Sequence, residues 1–297
     1  MIGADRARAP DLAQAGERIA ERGCAIGSPL DIADETVSTS DDAKAGARAG
    51  APHGAVWLAE SQTGGRGRQG RSWLSARGEN LLFSVLFRLR CAPSRVPPVS
   101  LACGLAVRDA VARALGAAAD RDVVVKWPND VLIRGARDGV LRKVAGVLVE
   151  SAVAGTKVEH VVVGIGINVL SRALPEEIAA LATSIAIERD ARAGRPGGAL
   201  APSYELDRAE ILADVLAGLD RDVGLVADRG LGLVHARLLR YDALAGCVVE
   251  TVGEGGAPGA LLGGASGIDL EGRLLVTRDD GTLARIASGE VRVRARA

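Results

Sequence analysis

KVAGVLVESAV (143–153) and VEHVVVGIGINV (158–169) are dominated by Val, Ile, Ala and Gly, and only AGTK separates them. Apolar, β-branched runs of this length read as buried strands, and so short a turn leaves them to pair with each other. A sheet must be built around this hairpin.

Further strands and helices follow from the same patterning. LDIADETV (30–37) reads as a strand ending at Ser38-Thr39-Ser40. DDAKAGARAG then reads as a helix, with Ser40 or Asp41 as N-cap and Gly50 as its stop. GAVWLAES (54–61) is a strand that enters a glycine-rich loop, and NLLFSVLFRLR (80–90) is a buried strand. Pro97 and Pro98 open a long helix from about 98 to 115. DVVVKWPND (122–130) is a short strand that breaks at Pro128. Residues 190–202 form a loop or linker, and 204–230 an amphipathic helix. From about residue 246 short β-rich runs alternate with Gly, Asp-Gly and Glu-Gly turns, the texture of a small barrel-like β domain.

Composition removes several classes of function. Lys plus Arg equals Asp plus Glu at 37 each, so a general attraction to nucleic acid or membrane is not expected. Any basic role must be local. Cys24, Cys91, Cys103 and Cys247 form no CxxC pair and His is rare, which argues against a disulfide framework or structural zinc. The N-terminus lacks a signal peptide's apolar core, and no apolar run reaches membrane-spanning length. A reducing cytoplasm is the expected location.

Chemistry concentrates in a few stretches. In QTGGRGRQGRSW (62–73) the glycines permit close backbone approach, while Arg66, Arg68 and Arg71 supply forked donors for phosphate or carboxylate oxygens. An exposed hairpin turn and an RGG-like nucleic-acid contact are the other readings. In KWPND (126–130), Lys126 can face a phosphate and Asp130 can hold Mg²⁺, or the stretch is an ordinary turn at a strand end. Lys143 heads a buried strand and either points into a pocket or lies on the surface over its own stem. VVVGIGIN (161–168) lacks the third glycine of a dinucleotide fingerprint, so it reads as a strand that a ligand approaches closely, with Asn168 at its end. Trp73 and Trp127 are each either a site wall or core.

In order, STS, QTGGRGRQGRSW, KWPND, RKVAGVLVE, GIGIN and a β-rich tail resemble the biotin–protein ligase family over roughly residues 30–297. The resemblance implies an α+β fold: a mixed β-sheet with packed helices, like class II aminoacyl-tRNA synthetases and biotin ligases, then a small SH3-like β-barrel. It divides the chain into an N-terminal extension (1–28, disordered or a single helix), a catalytic domain (29–243) and a C-terminal SH3-like domain (244–297). It also implies adenylation of biotin by ATP with Mg²⁺, then transfer to a lysine of a biotin carboxyl carrier protein.

Matched to the family's motifs, Ser38, Thr39, Ser40, Gln62, Gly65, Arg66, Gly67, Arg68, Lys143 and Gly146 are expected to bind biotin. Ser40 departs from the family's Asn and loses the amide's reach. Arg66, Arg68, Arg71, Trp73, Lys126, Asn129 and Asn168 are expected around ATP and the adenylate, with Asp130 on the metal. Lys143, Arg68 and Lys126 are the expected catalytic residues. The segment VLIRGARDGVLR (131–142) is longer than the compact family form and reads as a surface hairpin excursion. About 30 residues ahead of the first motif are too few for a DNA-binding domain, so a ligase without a repressor role is expected. Free strand edges are open to a second copy, giving a homodimer, or to the carrier. The rival readings are a lipoate-type protein ligase and, from another class, a non-catalytic nucleic-acid-binding protein.

Overall fold

The computed structural model describes residues 12–195, 206–253 and 257–294. The central hairpin consists of β6 (Leu141–Ala154) and β7 (Lys157–Asn168), antiparallel from Ala154↔Lys157 to Ala145↔Ile167. β3 (Asn80–Phe87) lies along the other side of β7 and is buried at every position, as its unbroken apolar run requires. β2 (Val56–Gln62) pairs antiparallel with β3, and β1 (Leu30–Thr36) pairs parallel with β2. On the far side β5 (Asp130–Arg134) joins β6, and β4 (Val123–Lys126) closes the sheet. The strand order is β1-β2-β3-β7-β6-β5-β4, a mixed sheet.

Helices cover this sheet. α2 (Thr39–Arg48) lies on β2, β3 and β7, burying Ala43 and Ala47 beside Leu86 and Val162. The main core is built by α3 (Val96–Leu115) and α6 (Arg208–Arg229), with Leu101, Leu105, Leu212 and Leu216 buried among Phe83, Val131 and Val147. A 3-10 turn at Leu12–Gln14 and α1 (Ala15–Glu21) pack on α6 through Leu12, Ala15 and Ile19. Of the two readings of the N-terminal extension, disorder or a single helix, residues 12–21 take the helical one and join the core. Shorter helices are α4 (Glu176–Ala179), α5 (Ile185–Arg192) and α7 (His235–Arg240). Among the described residues no helix is long and apolar enough to cross a membrane.

The C-terminal strands are β8 (Val248–Val252), β9 (Pro258–Ile268), β10 (Leu274–Thr277), β11 (Leu283–Ile286) and β12 (Val291–Arg294). They form one antiparallel sheet in the order β11-β10-β9-β8-β12. The return of β12 to β8 is the topology of a small SH3-like barrel. Trp127 is 2% exposed and donates through Nε1 to the Gly272 carbonyl at 3.0 Å. It is core, and it ties the two sheets together.

Three local expectations are corrected. Helix α2 begins at Thr39, before the expected cap, with Ser38 in the N-cap position. Gln62 of β2 supplies the cap from across the sheet, its Oε1 accepting from Thr39 N at 2.8 Å. The segment 131–142 is not a surface excursion: Val131 and Ile133 are fully buried in β5, and only the tip around 135–140 projects. The loop expected over 190–202 starts later, because α5 runs to Arg192; residues 196–202, and Tyr204 and Glu205 of the expected helix, lie outside the described residues.

Candidate functional site

The glycine–arginine stretch folds as a narrow hairpin. Trp73 N donates to Gly65 O at 2.9 Å, Gly67 N to Arg71 O at 2.6 Å, and Arg66 bridges Ser72. Its tip turns through left-handed backbone at Gln69 (φ 55°) and Gly70 (φ 73°), the latter a conformation glycine adopts without strain. We call it the lid.

Under the lid is a cavity floored by β6 and β7. Ser38, Thr39, Ser40, Gln62, Arg66, Gly67, Arg68, Trp73, Asn129, Lys143 and Gly146 line it, together with Val147, Leu148, Gly164, Ile165 and Gly166. One end is a hydroxyl and amide cluster. Thr39 Oγ1 and Ser40 Oγ each meet Ser84 Oγ, at 2.9 and 3.1 Å, and Gln62 Oε1 accepts from Thr39 Oγ1 at 3.2 Å. The glycines on the floor are there for space. A Cβ at Gly166 would lie 2.5 Å from the Trp73 ring, and one at Gly164 would lie 2.6 Å from Ser40 Oγ. The Trp73 indole N–H is buried without a hydrogen-bond partner, so Trp73 is a wall of the site.

A second, wider cleft opens between the edge of the main sheet and the C-terminal strands. Arg71, Lys126, Asp130, Lys143, Glu290 and Arg292 line it. Lys143 lines both spaces. Its backbone is held on the side β7 has vacated: Lys143 N donates to Leu181 O and Thr183 N to Lys143 O, each at 2.8 Å. Its Nζ lies 2.7 Å from Asp130 Oδ1 and 5.5 Å from the Trp73 ring centre.

The lid arginines differ in their partners. Arg66 forks onto Asp41, and Arg71 onto Glu290. Arg68 donates to a backbone carbonyl, Gly289 O, at 3.3 Å. Burial pulls the Arg68 guanidinium below its usual range, with Asp130 and Glu290 working the other way. A desolvated cation with one neutral acceptor favours a bound anion.

Some expected residues stand elsewhere. Asn168 is 6% exposed, outside the cavity lining, and donates to Thr183 O at 3.0 Å, fastening the β7 end. Gly65 is buried in the base of the lid hairpin, where a Cβ would lie 2.8 Å from Trp73 O. Asn129 reaches the cavity, but its amide donates to Val147 O at 2.7 Å. Sequence reasoning missed Ser84, signalled only as a lone polar residue in an apolar strand, and Glu290, which carried no local signal.

Among the described residues no group of three or more His, Cys, Asp or Glu is arranged to hold a metal ion. Asp130 offers one carboxylate to the polar cleft. An oxygen donor of that kind suits a hard cation arriving with phosphates.

Comparison with known proteins follows the same lines. Residues 38–168 match the model of the Biotin/lipoate A/B protein ligase family. The bifunctional ligase/repressor BirA of Escherichia coli is 31% identical over 242 residues, covering 81% of this chain and 67% of that protein. The chain belongs to the biotin–protein ligase family. Another family member, the biotin–[acetyl-CoA-carboxylase] ligase of Mycobacterium tuberculosis, is 41% identical over 158 residues, 52% of this chain and 54% of that enzyme. The structure of the biotin protein ligase from Aquifex aeolicus in complex with biotin and ATP superposes with a TM-score of 0.68 at 28% identity, covering 90% of this chain and 99% of that one. This family member thus has the fold of a ligase whose site takes an acid and a nucleotide together.

Proposed function

We propose that the chain activates biotin with ATP and transfers the biotinoyl group to a lysine of a biotin carboxyl carrier protein. The observation that carries this reading is the position of Lys143, which lines both the narrow cavity and the wide cleft. An ammonium at that junction sits where a bound acid's carboxylate would meet a bound nucleotide's α-phosphate.

In this reading biotin's rings lie beside Trp73 in the narrow cavity, with the ureido group toward Ser38, Thr39, Ser40 and Gln62. ATP occupies the wide cleft toward Lys126 and Arg71. A biotin carboxylate oxygen bonds to the α-phosphorus as the bond to pyrophosphate breaks. Lys143 and Arg68 hold the charge that builds on the α-phosphate oxygens. Asp130 is the carboxylate that would hold Mg²⁺ brought in on ATP; the ion supplies charge neutralisation at the phosphates. The lid keeps water from the mixed anhydride. A carrier lysine, as the free amine, then attacks the acyl carbon. The C–N bond forms, AMP leaves with the C–O bond electrons, and the amine proton passes to solvent.

The names of the relatives support a carboxylase carrier as acceptor, and the outer edge of β1 is a surface it or a second copy can meet. The four free cysteines are in keeping with a reducing cytoplasm. The test is mass spectrometry after incubation with ATP, Mg²⁺ and either biotin or lipoate. Biotinoyl-AMP alone is the expected product. Lipoyl-AMP instead would move the chain to lipoate, and no acyl-AMP from folded protein would overturn the reading.

A further inference from the structure

Arg66 is the first lid arginine, and its guanidinium is already engaged. Nη1 donates to Asp41 Oδ2 at 2.7 Å and Nη2 to Asp41 Oδ1 at 2.6 Å. Asp41 lies in the first turn of α2, immediately after the Ser38–Ser40 turn that lines the cavity. Lys44 of the same helix donates to Glu150 of β6 at 2.5 Å and stands 3.6 Å from Asp41. The other Glu150 oxygen is buried without a hydrogen bond, 3.8 Å from Arg66 Nη2. Charges of alternating sign therefore join the lid, α2 and β6 around the cavity mouth.

We propose that Asp41 is a positioning residue of the lid: its pair with Arg66, backed by Lys44 and Glu150, clasps the incoming arm of the hairpin over the cavity. The inference rests on the adenylation reading and assigns Arg66 away from the phosphates. Arg66 acts through the lid, and Arg68, which donates to a backbone carbonyl and is desolvated, is left as the lid arginine for an anion. The clasp sets how long biotinoyl-AMP is retained, not how fast it forms.

The two side chains are 38% and 44% exposed, and exposed ion pairs contribute little on their own. The two-point fork and the surrounding network are the circumstances in which such a pair counts. The expected effect is about fivefold, corresponding to ~1 kcal/mol. That is too small to threaten the fold and large enough to change the escape of a reactive intermediate. Asp41 is held below the usual carboxylate range by the Arg66 hydrogen bonds, with burial opposing, so the clasp is charged at neutral pH.

The test is a double-mutant cycle on the whole chain: Asp41→Asn, Arg66→Gln and both together. Hydrogen–deuterium exchange over residues 64–73 reports lid opening without any ligand. Retention of biotinoyl-AMP, formed in place from biotin and ATP and followed by rapid gel filtration, reports function. Each single variant should exchange faster in the lid and lose adenylate about 3–10-fold faster, and in Asp41→Asn the rate of adenylate formation should be little changed. The double variant should be no worse than either single. Unchanged exchange and retention in the singles, or single effects that add in the double, would overturn the clasp. A wild-type chain that forms no biotinoyl-AMP would overturn the adenylation reading, while the exchange arm would still decide whether the clasp exists.

Discussion

Arg71 of the lid is ion-paired to Glu290, a residue 219 positions away and immediately before β12. Arg68 beside it donates to the carbonyl of Gly289. The far side of the lid is therefore fastened to the C-terminal sheet, which gives that small domain a part in closing the site. Burial opposes the Glu290 charge, but the Arg71 hydrogen bonds prevail and hold its carboxyl below the usual range.

Replacing Glu290 with Gln should loosen the lid and weaken ATP binding more than biotin binding, because Glu290 faces the wide cleft. The pair also has a pH signature. A carboxyl held low when folded contributes above its unfolded pKa, and that contribution is lost as pH falls through the folded value. Lid protection in the wild type should therefore decline below the ordinary glutamate range, about pH 4, and the Gln variant should decline less there, with Asp41, also held low by its lid arginine, supplying what remains. Hydrogen exchange over residues 66–73 at several pH values checks both.

Lys143→Ala should cut adenylate formation about 10²–10³-fold, the range seen when one fixed donor to developing charge is removed. The fold should survive. The Lys143 side chain is 35% exposed, and the Asp130 it leaves behind can be solvated. Single-turnover adenylation and a thermal melt, taken together, separate the two effects. Near-normal turnover would remove Lys143 from the reaction.

Gly166→Ala should weaken biotin binding at least tenfold, since the added Cβ falls 2.5 Å from the Trp73 ring and the ring must move. ATP binding, in the other cleft, should change little. Calorimetric titration with each ligand checks this. Equal weakening of both would mean that the two spaces are not separate subsites.

How much was legible in the sequence depends on how far each signal travels along the chain. The β6–β7 hairpin and buried β3 could be read because apolar runs and a short turn are local properties. The STS turn, the glycine–arginine lid and Lys143 could be read because each motif carries its own chemistry. The start of α2 was misplaced because its cap, Gln62, comes from another strand 23 residues away. Glu290, and the pairing of Asp41 with Arg66, were invisible for the same reason: each matters through an arginine that the fold brings to it. Asn168 shows the opposite relation. Its position at the end of a glycine-rich strand drew it into the site, while the fold spends its amide on Thr183.

A last prediction concerns what holds β2 in place behind Gln62. Arg208, fully buried at the first turn of α6, donates to both oxygens of Glu60 at 2.7 and 3.2 Å and to Asn80 O at 3.2 Å. Removing Arg208 takes from the buried Glu60 carboxylate the cation it is paired with. Glu60→Leu or Arg208→Met should each cost about 3–5 kcal/mol in urea unfolding. The double variant should lose less than either single, because replacing both charges with apolar groups removes the orphaned ion along with the attraction. If the double loses the sum of the singles, the pair is not acting as a unit, and each side chain must be stabilising the sheet through its other contacts.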